Sequence, residues 1–140
     1  MGAKFGPAGN ADSFKTMGYK KTIEVPLYIK KMVLDAYEYQ CTRGVKISKE
    51  SAKEFGELAK EKGISLSVHT PYYISLASTE KEKRDNSIGY IIDSAVVANA
   101  MGAKKIIIHS GSCSKITRED ALNLATDTLT RTRQALLEQG

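Results

Sequence analysis

Short apolar runs alternate along the chain with longer stretches in which apolar residues recur three or four positions apart. The first pattern belongs to buried strands and the second to amphipathic helices. The short runs predict strands at Ala3–Phe5, Ala36–Gln40, Ser65–His69 and Lys105–His109. The last of these is a β-branched run, as in a strand covered on both faces. Helices are expected between them. Pro26 suits the first turn of one, with Leu27, Ile29 and Met32 following. Ser48 is placed to cap a second that runs to about Lys62, with Ala52, Phe55, Leu58 and Ala59 on one face. Thr79 and Glu82 have capping-box spacing for a third, whose apolar face reads Ile88, Ile91, Ile92, Ala95, Val96 and Asn99. Thr117 and Asp120 open a fourth, carrying Ala121, Leu124, Ala125, Leu129 and Leu136. Gly63, Gly102 and Gly140 each follow a helical stretch, where glycine closes a helix in a left-handed conformation at least cost. Residues 6–21 read as a loop with a helical turn near Ser13–Met17.

The resulting order is βαβαβαβα, with strand ends roughly 30 to 40 residues apart, as parallel strands joined by right-handed crossovers require. An open doubly wound sheet and a closed barrel both satisfy it. The loop Gly6-Pro7-Ala8-Gly9-Asn10 has neither the dinucleotide-binding nor the P-loop glycine pattern and reads as a plain turn.

Composition narrows the class without choosing a function. The chain has 140 residues, 41% hydrophobic and 26% charged, which suits one α/β domain over residues 1–140 with a core of its own. No apolar run approaches the roughly 18 to 20 residues of a membrane helix, and the N-terminus lacks the form of a secretion signal. No membrane partner is expected, and the location is read as cytoplasmic. Net charge is +5, carried mainly by residues 1–70. That excess suits a polyanionic partner, although most of these charges belong on solvated helix faces. Two cysteines, Cys41 and Cys113, exclude a disulfide framework or a four-cysteine zinc site. Each is read as a packing or spectator thiol ahead of a metal ligand.

The chain contains two histidines, and both end predicted strands: His69 closes Ile64-Ser65-Leu66-Ser67-Val68-His69, and His109 closes Lys105-Ile106-Ile107-Ile108-His109. In a β/α barrel the C-terminal strand ends converge on one face, where such enzymes do their chemistry. Neighbouring imidazoles there can share a metal ion, or each can be a hydrogen-bonded rim residue. Glu38, inside the second strand, either points into the same site or pairs with a lysine.

The segments Ser67-Val68-His69-Thr70-Pro71-Tyr72-Tyr73-Ile74-Ser75-Leu76 and Ile107-Ile108-His109-Ser110-Gly111-Ser112 resemble strand motifs of the endonuclease IV family. The opening Phe5-Gly6-Pro7-Ala8-Gly9-Asn10 and Tyr37-Glu38-Tyr39-Gln40-Cys41-Thr42-Arg43-Gly44 are similar to an archaeal-type branch of it. The resemblance implies a TIM (β/α)8 barrel of the xylose isomerase-like kind, of which this chain is the N-terminal half, four βα units. It further implies a DNA-repair hydrolase that holds up to three zinc ions, with manganese as an alternative, and cuts the phosphodiester bond 5′ to abasic sites. His69 and His109 match two of its metal ligands, joined there by a bridging glutamate from a fifth strand. Tyr72 and Tyr73 match a loop that enters the DNA minor groove, and Arg43 lies near another DNA-contacting loop. As plain structure, the tyrosines would cover the barrel rim and Arg43 would be solvated.

Two departures qualify the match. Phe5-Gly6-Pro7 stands where the family commonly has a histidine at the end of the first strand. The chain also reaches Gly140 where a fifth strand would begin, so the bridging glutamate and later ligands are expected to lie outside it. A half-barrel of this kind is expected to have little or no activity alone, and to associate with a second copy or a separate C-terminal half. Two other functions remain open: a sugar isomerase or epimerase of the same superfamily, and a non-catalytic DNA-binding or assembly module.

Overall fold

The computed structural model describes residues 2–139. Five α-helices, α1 (Asp12–Thr16), α2 (Val25–Lys31), α3 (Lys49–Glu61), α4 (Lys81–Met101) and α5 (Arg118–Gln139), alternate with three parallel strands among the described residues. The strands β1 (Ala36–Gln40), β2 (Ser65–His69) and β3 (Ile106–Ile107) lie side by side in chain order. A single 3-10 turn, Thr22–Glu24, leads into α2, where Pro26 occupies the first turn as expected.

The predicted strand at Ala3–Phe5 does not form. Instead the chain lies alongside β1 slightly later: the Phe5 carbonyl accepts from Ala36 N–H, and the Pro7 carbonyl from Glu38 N–H. Gly9 N–H returns a bond to the Glu38 carbonyl, giving one bridge, Ala8 with Glu38. A second bridge centred on Gly6 would need an N–H from residue 7, and Pro7 has none. Gly6 nonetheless lies too close to β1 for any side chain, since a Cβ there would lie 1.6 Å from the Ala36 carbonyl oxygen. The third strand is also shorter than the predicted Lys105–His109. Its ladder ends at Ile107, whose carbonyl accepts from Thr70 N–H; the next donor on that edge, Tyr72 N–H, is turned to the Thr42 carbonyl instead.

Helix α3 forms as the sequence suggests: the Ser48 hydroxyl accepts from Ser51 N–H at its start. At α4 the predicted Thr79–Glu82 capping box is not made, and the helix begins at Lys81 without a side-chain cap. Its buried face also differs. Ser87, Ile91, Ser94, Val97, Ala98 and Met101 are buried, whereas Val96 and Asn99 face solvent. The two serines are tolerated inside because their hydroxyls donate to the carbonyls of Lys83 and Tyr90, one turn back. Thr117 starts α5 with its hydroxyl accepting from Asp120 N–H. Leu129, placed on the apolar face, is 41% exposed, while Thr128 and Thr132 are buried. Gly102 ends α4 with φ +68. Gly140 lies outside the described residues.

The main core sits between the helices and the back of the sheet. Phe55, wholly buried, packs against the rings of Tyr37 and Tyr39 and is joined by Val25, Ile29, Val68 and Met101. A second cluster, Ile74, Leu76 and Ile91, fills the space between the β2–α4 loop and the far helices. There Thr128 of α5 donates to the Leu76 carbonyl, and Arg131 pairs with Asp85 of α4. None of the described helices is long and apolar enough to cross a membrane.

Candidate functional site: a histidine pair on adjacent strands

Alternation along the strands decides which side chains meet. Tyr37 and Tyr39 of β1, and Leu66 and Val68 of β2, belong to the helix-side core. Their neighbours Glu38, Ser67 and His69 therefore project from the opposite face of the sheet. The register sets Glu38 beside Ser67, with His69 two residues further on. His109, two residues beyond β3, completes a row across three consecutive elements.

The contacts in that row are specific. Nδ1 of His69 lies 2.7 Å from Oε1 of Glu38, and the Ser67 hydroxyl donates to Oε2 at 3.3 Å. On the other side, Nε2 of His69 is 3.1 Å from Nε2 of His109. The two rings are inclined at 64° with centroids 5.0 Å apart. The His69 and Glu38 side chains are partly covered, at 29% and 23% exposure, and His109 is open to solvent.

This spacing can be compared with a metal site. Two zinc–nitrogen bonds of about 2.05 Å at a tetrahedral angle would put their nitrogens about 3.3 Å apart. The observed separation is close to that, so the pair fits two ligands of one ion. Among the described residues no group of three His, Cys, Asp or Glu side chains is arranged to hold a metal. Glu38 lies behind His69, on the ring nitrogen that faces away from His109.

The loop after β2 carries the aromatic pair. Tyr72 is 61% exposed and Tyr73 39%, with ring centroids 5.3 Å apart. Tyr73 also meets Tyr90 of α4 edge to face at 4.8 Å, and partial desolvation pushes its phenol pKa up. Arg43 is exposed in the turn after β1 and makes no ion pair among the described residues. It precedes Gly44, where an added Cβ would come within 3.1 Å of the Tyr73 hydroxyl. The turn and the aromatic loop thus touch. Of the cysteines, Cys41 is buried in the main core, which raises its thiol pKa, and Cys113 is exposed.

Two contributors were not singled out from the sequence. Ser67 could have been, since it lies two residues before His69 and so shares its face. Tyr90 could not, because nothing in its helix marks it as the ring that backs Tyr73.

Residues 27–138 match the family described as xylose isomerase-like TIM barrel. A protein of Methanocaldococcus jannaschii with no assigned function is 36% identical over 68% of this chain and 34% of its own length. A protein of Acholeplasma laidlawii named probable endonuclease 4 is 31% identical over 55% of this chain and 27% of its own. The chain thus spans between about a quarter and a third of the length of these curated relatives. Two solved structures share the fold. Endonuclease IV from Thermus thermophilus superposes with a TM-score of 0.61 at 18% identity, over 79% of this chain and 42% of that one. D-Psicose 3-epimerase from Clostridium cellulolyticum gives 0.67 at 15% identity, over 94% and 45%.

Proposed function

The chain belongs to the xylose isomerase-like TIM barrel family and covers part of that barrel, and on that premise we propose that it supplies a metal-binding histidine pair and a DNA-contacting rim to an endonuclease acting 5′ to abasic sites. The observation that carries this reading is the 3.1 Å approach of the His69 and His109 imidazoles at neighbouring strand ends. The endonuclease-named relative supports the choice of substrate class, as does the net charge of +5.

His69 and His109 would hold one ion through their Nε2 atoms, with zinc favoured by the nitrogen donors and manganese the alternative. Such an ion, when bound, polarises a phosphate oxygen and makes hydroxide available from water near neutral pH. The chain's own residues do the rest of the work on this side of the site. Tyr72 presents an exposed ring that can fill the gap left by a missing base, with Tyr73 holding it forward from Tyr90. Arg43, in the adjoining turn, is free to meet a phosphate. Full turnover needs metal donors beyond these two histidines, so slow incision or none is expected of the chain by itself.

The test is fluorescence anisotropy with two duplexes, one intact and one holding a tetrahydrofuran abasic analogue, with and without zinc. The reading requires tighter binding of the abasic duplex, and any incision that occurs must fall 5′ to the analogue. Equal affinity for both duplexes would contradict it. So would zinc- or manganese-dependent epimerisation of a ketohexose by the same preparation.

A further inference from the structure

We infer that Glu38 is a positioning residue that presets His69 as a metal ligand, leaving His109 as the adaptable one. The inference rests on the metal-binding role proposed for the two histidines and adds a division of labour between them.

A neutral imidazole carries one N–H and one lone pair, and only the lone pair can bind a cation. Which nitrogen carries the proton is decided by what surrounds the ring. Glu38 places Oε1 2.7 Å from Nδ1 of His69. An ionised carboxylate only accepts, so that contact is satisfied when Nδ1 carries the proton. The lone pair of His69 is then on Nε2, the atom facing His109. The carboxylate is itself held: its second oxygen accepts from Ser67, the residue beside it in the strand register. Glu38, Ser67 and His69 share one sheet face, and the strand pairing that aligns them is continuous across β1 and β2. The orientation of the His69 ring is therefore built into the sheet.

His109 has no comparable support. Among the described residues its ring makes one hydrogen bond, the 3.1 Å contact with His69. With the His69 lone pair on Nε2, His109 must donate its own Nε2–H across that contact. For both Nε2 lone pairs to be available to one ion, His109 would have to carry its N–H on Nδ1 instead. His69 needs no such change. A carboxylate behind a metal-bound histidine also makes the ring a better donor, and loss of such a partner typically weakens metal binding about 10- to 100-fold.

Two readouts test this, one of which needs no metal. Long-range 1H–15N correlation spectra of the metal-free protein report which ring nitrogen is protonated in each histidine. The expected result is Nδ1–H at His69 and Nε2–H at His109, with Glu38→Ala removing the preference at His69. Zinc titration should then show binding about 10- to 100-fold weaker in Glu38→Ala. Glu38→Gln, whose amide oxygen can still accept from Nδ1–H, should retain most of the affinity. Ser67→Ala, which frees the carboxylate without removing it, should give a smaller loss. Nε2–H at His69 in the unaltered protein would overturn the inference even if no Glu38 variant folds, as would wild-type zinc affinity in Glu38→Ala. Failure of the unaltered protein to bind zinc, with Nδ1–H still found at His69, would instead count against the metal-binding role on which the inference stands.

Discussion

The backbone N–H of Tyr72 donates to the carbonyl of Thr42 at 3.2 Å, joining the loop after β2 to the turn after β1. Thr42 has φ +38, a left-handed conformation that a β-branched residue rarely adopts. The pairing ties the Tyr72 backbone to the turn after β1. If the Tyr72 ring occupies the space of a missing base, Tyr72→Ala should weaken binding to abasic duplex by roughly 5- to 100-fold, the range of a base–aromatic stack. Affinity for intact duplex should change little. Anisotropy titrations of both duplexes measure the difference.

Close packing between α3 and α4 gives a stability test remote from the site. A Cβ on Gly56 would lie 2.2 Å from the Met101 carbonyl oxygen, and backbone cannot yield as a side chain can. Gly56→Ala should therefore destabilise the protein by about 1–3 kcal/mol, despite alanine's better helix propensity. Urea unfolding followed by circular dichroism gives the value.

Phe55 closes the core against Tyr37 and Tyr39 with no exposure of its own. Phe55→Ala should cost about 3–5 kcal/mol, the range for an aromatic side chain removed from a rigid interior. Because Tyr37 and Tyr39 flank Glu38 on β1, the variant should also broaden the His69 ring signals in NMR spectra.

Asp85 connects α4 to α5 through Arg131, and bonds from Lys81 and Arg131 hold its pKa below the ordinary aspartate value. A depressed carboxylate stabilises the folded state above its unfolded pKa, and that contribution is lost as pH falls through the folded one. Asp85→Asn should accordingly lower the melting temperature at neutral pH, and the gap from wild type should narrow as the pH falls below the ordinary aspartate range. Melting curves at several pH values check this. A gap that is constant with pH would show that the ion pair contributes nothing.

The parallel α/β plan was legible because each strand and helix carried its own period. Ala36–Gln40 and Ser65–His69 coincide with β1 and β2, and Ser48 caps α3 as its position suggests. Where sequence and structure part, tertiary context decides. Pro7 denies the first segment a ladder donor, and Tyr72 N–H, the next donor along the β3 edge, goes to Thr42, so both ends of the sheet are shorter or later than their apolar runs. The buried face of α4 runs through Ser87 and Ser94 because their hydroxyls bond back within the helix, something no hydropathy period can reveal. At the site, the approach of His69, at the end of β2, and His109, just past β3, could be read from their spacing. The carboxylate behind His69 could not be settled that way, since Glu38 was equally able to meet a lysine.

The most direct measurement is an isothermal titration of zinc into the metal-free protein and into His69→Ala and His109→Ala. One ion per chain is expected in the unaltered protein. Each substitution should weaken binding by more than the about 10- to 100-fold that loss of an outer partner costs. Zinc affinity that survives removal of either imidazole would mean the two rings do not share an ion, and the proposed role of the pair would be wrong.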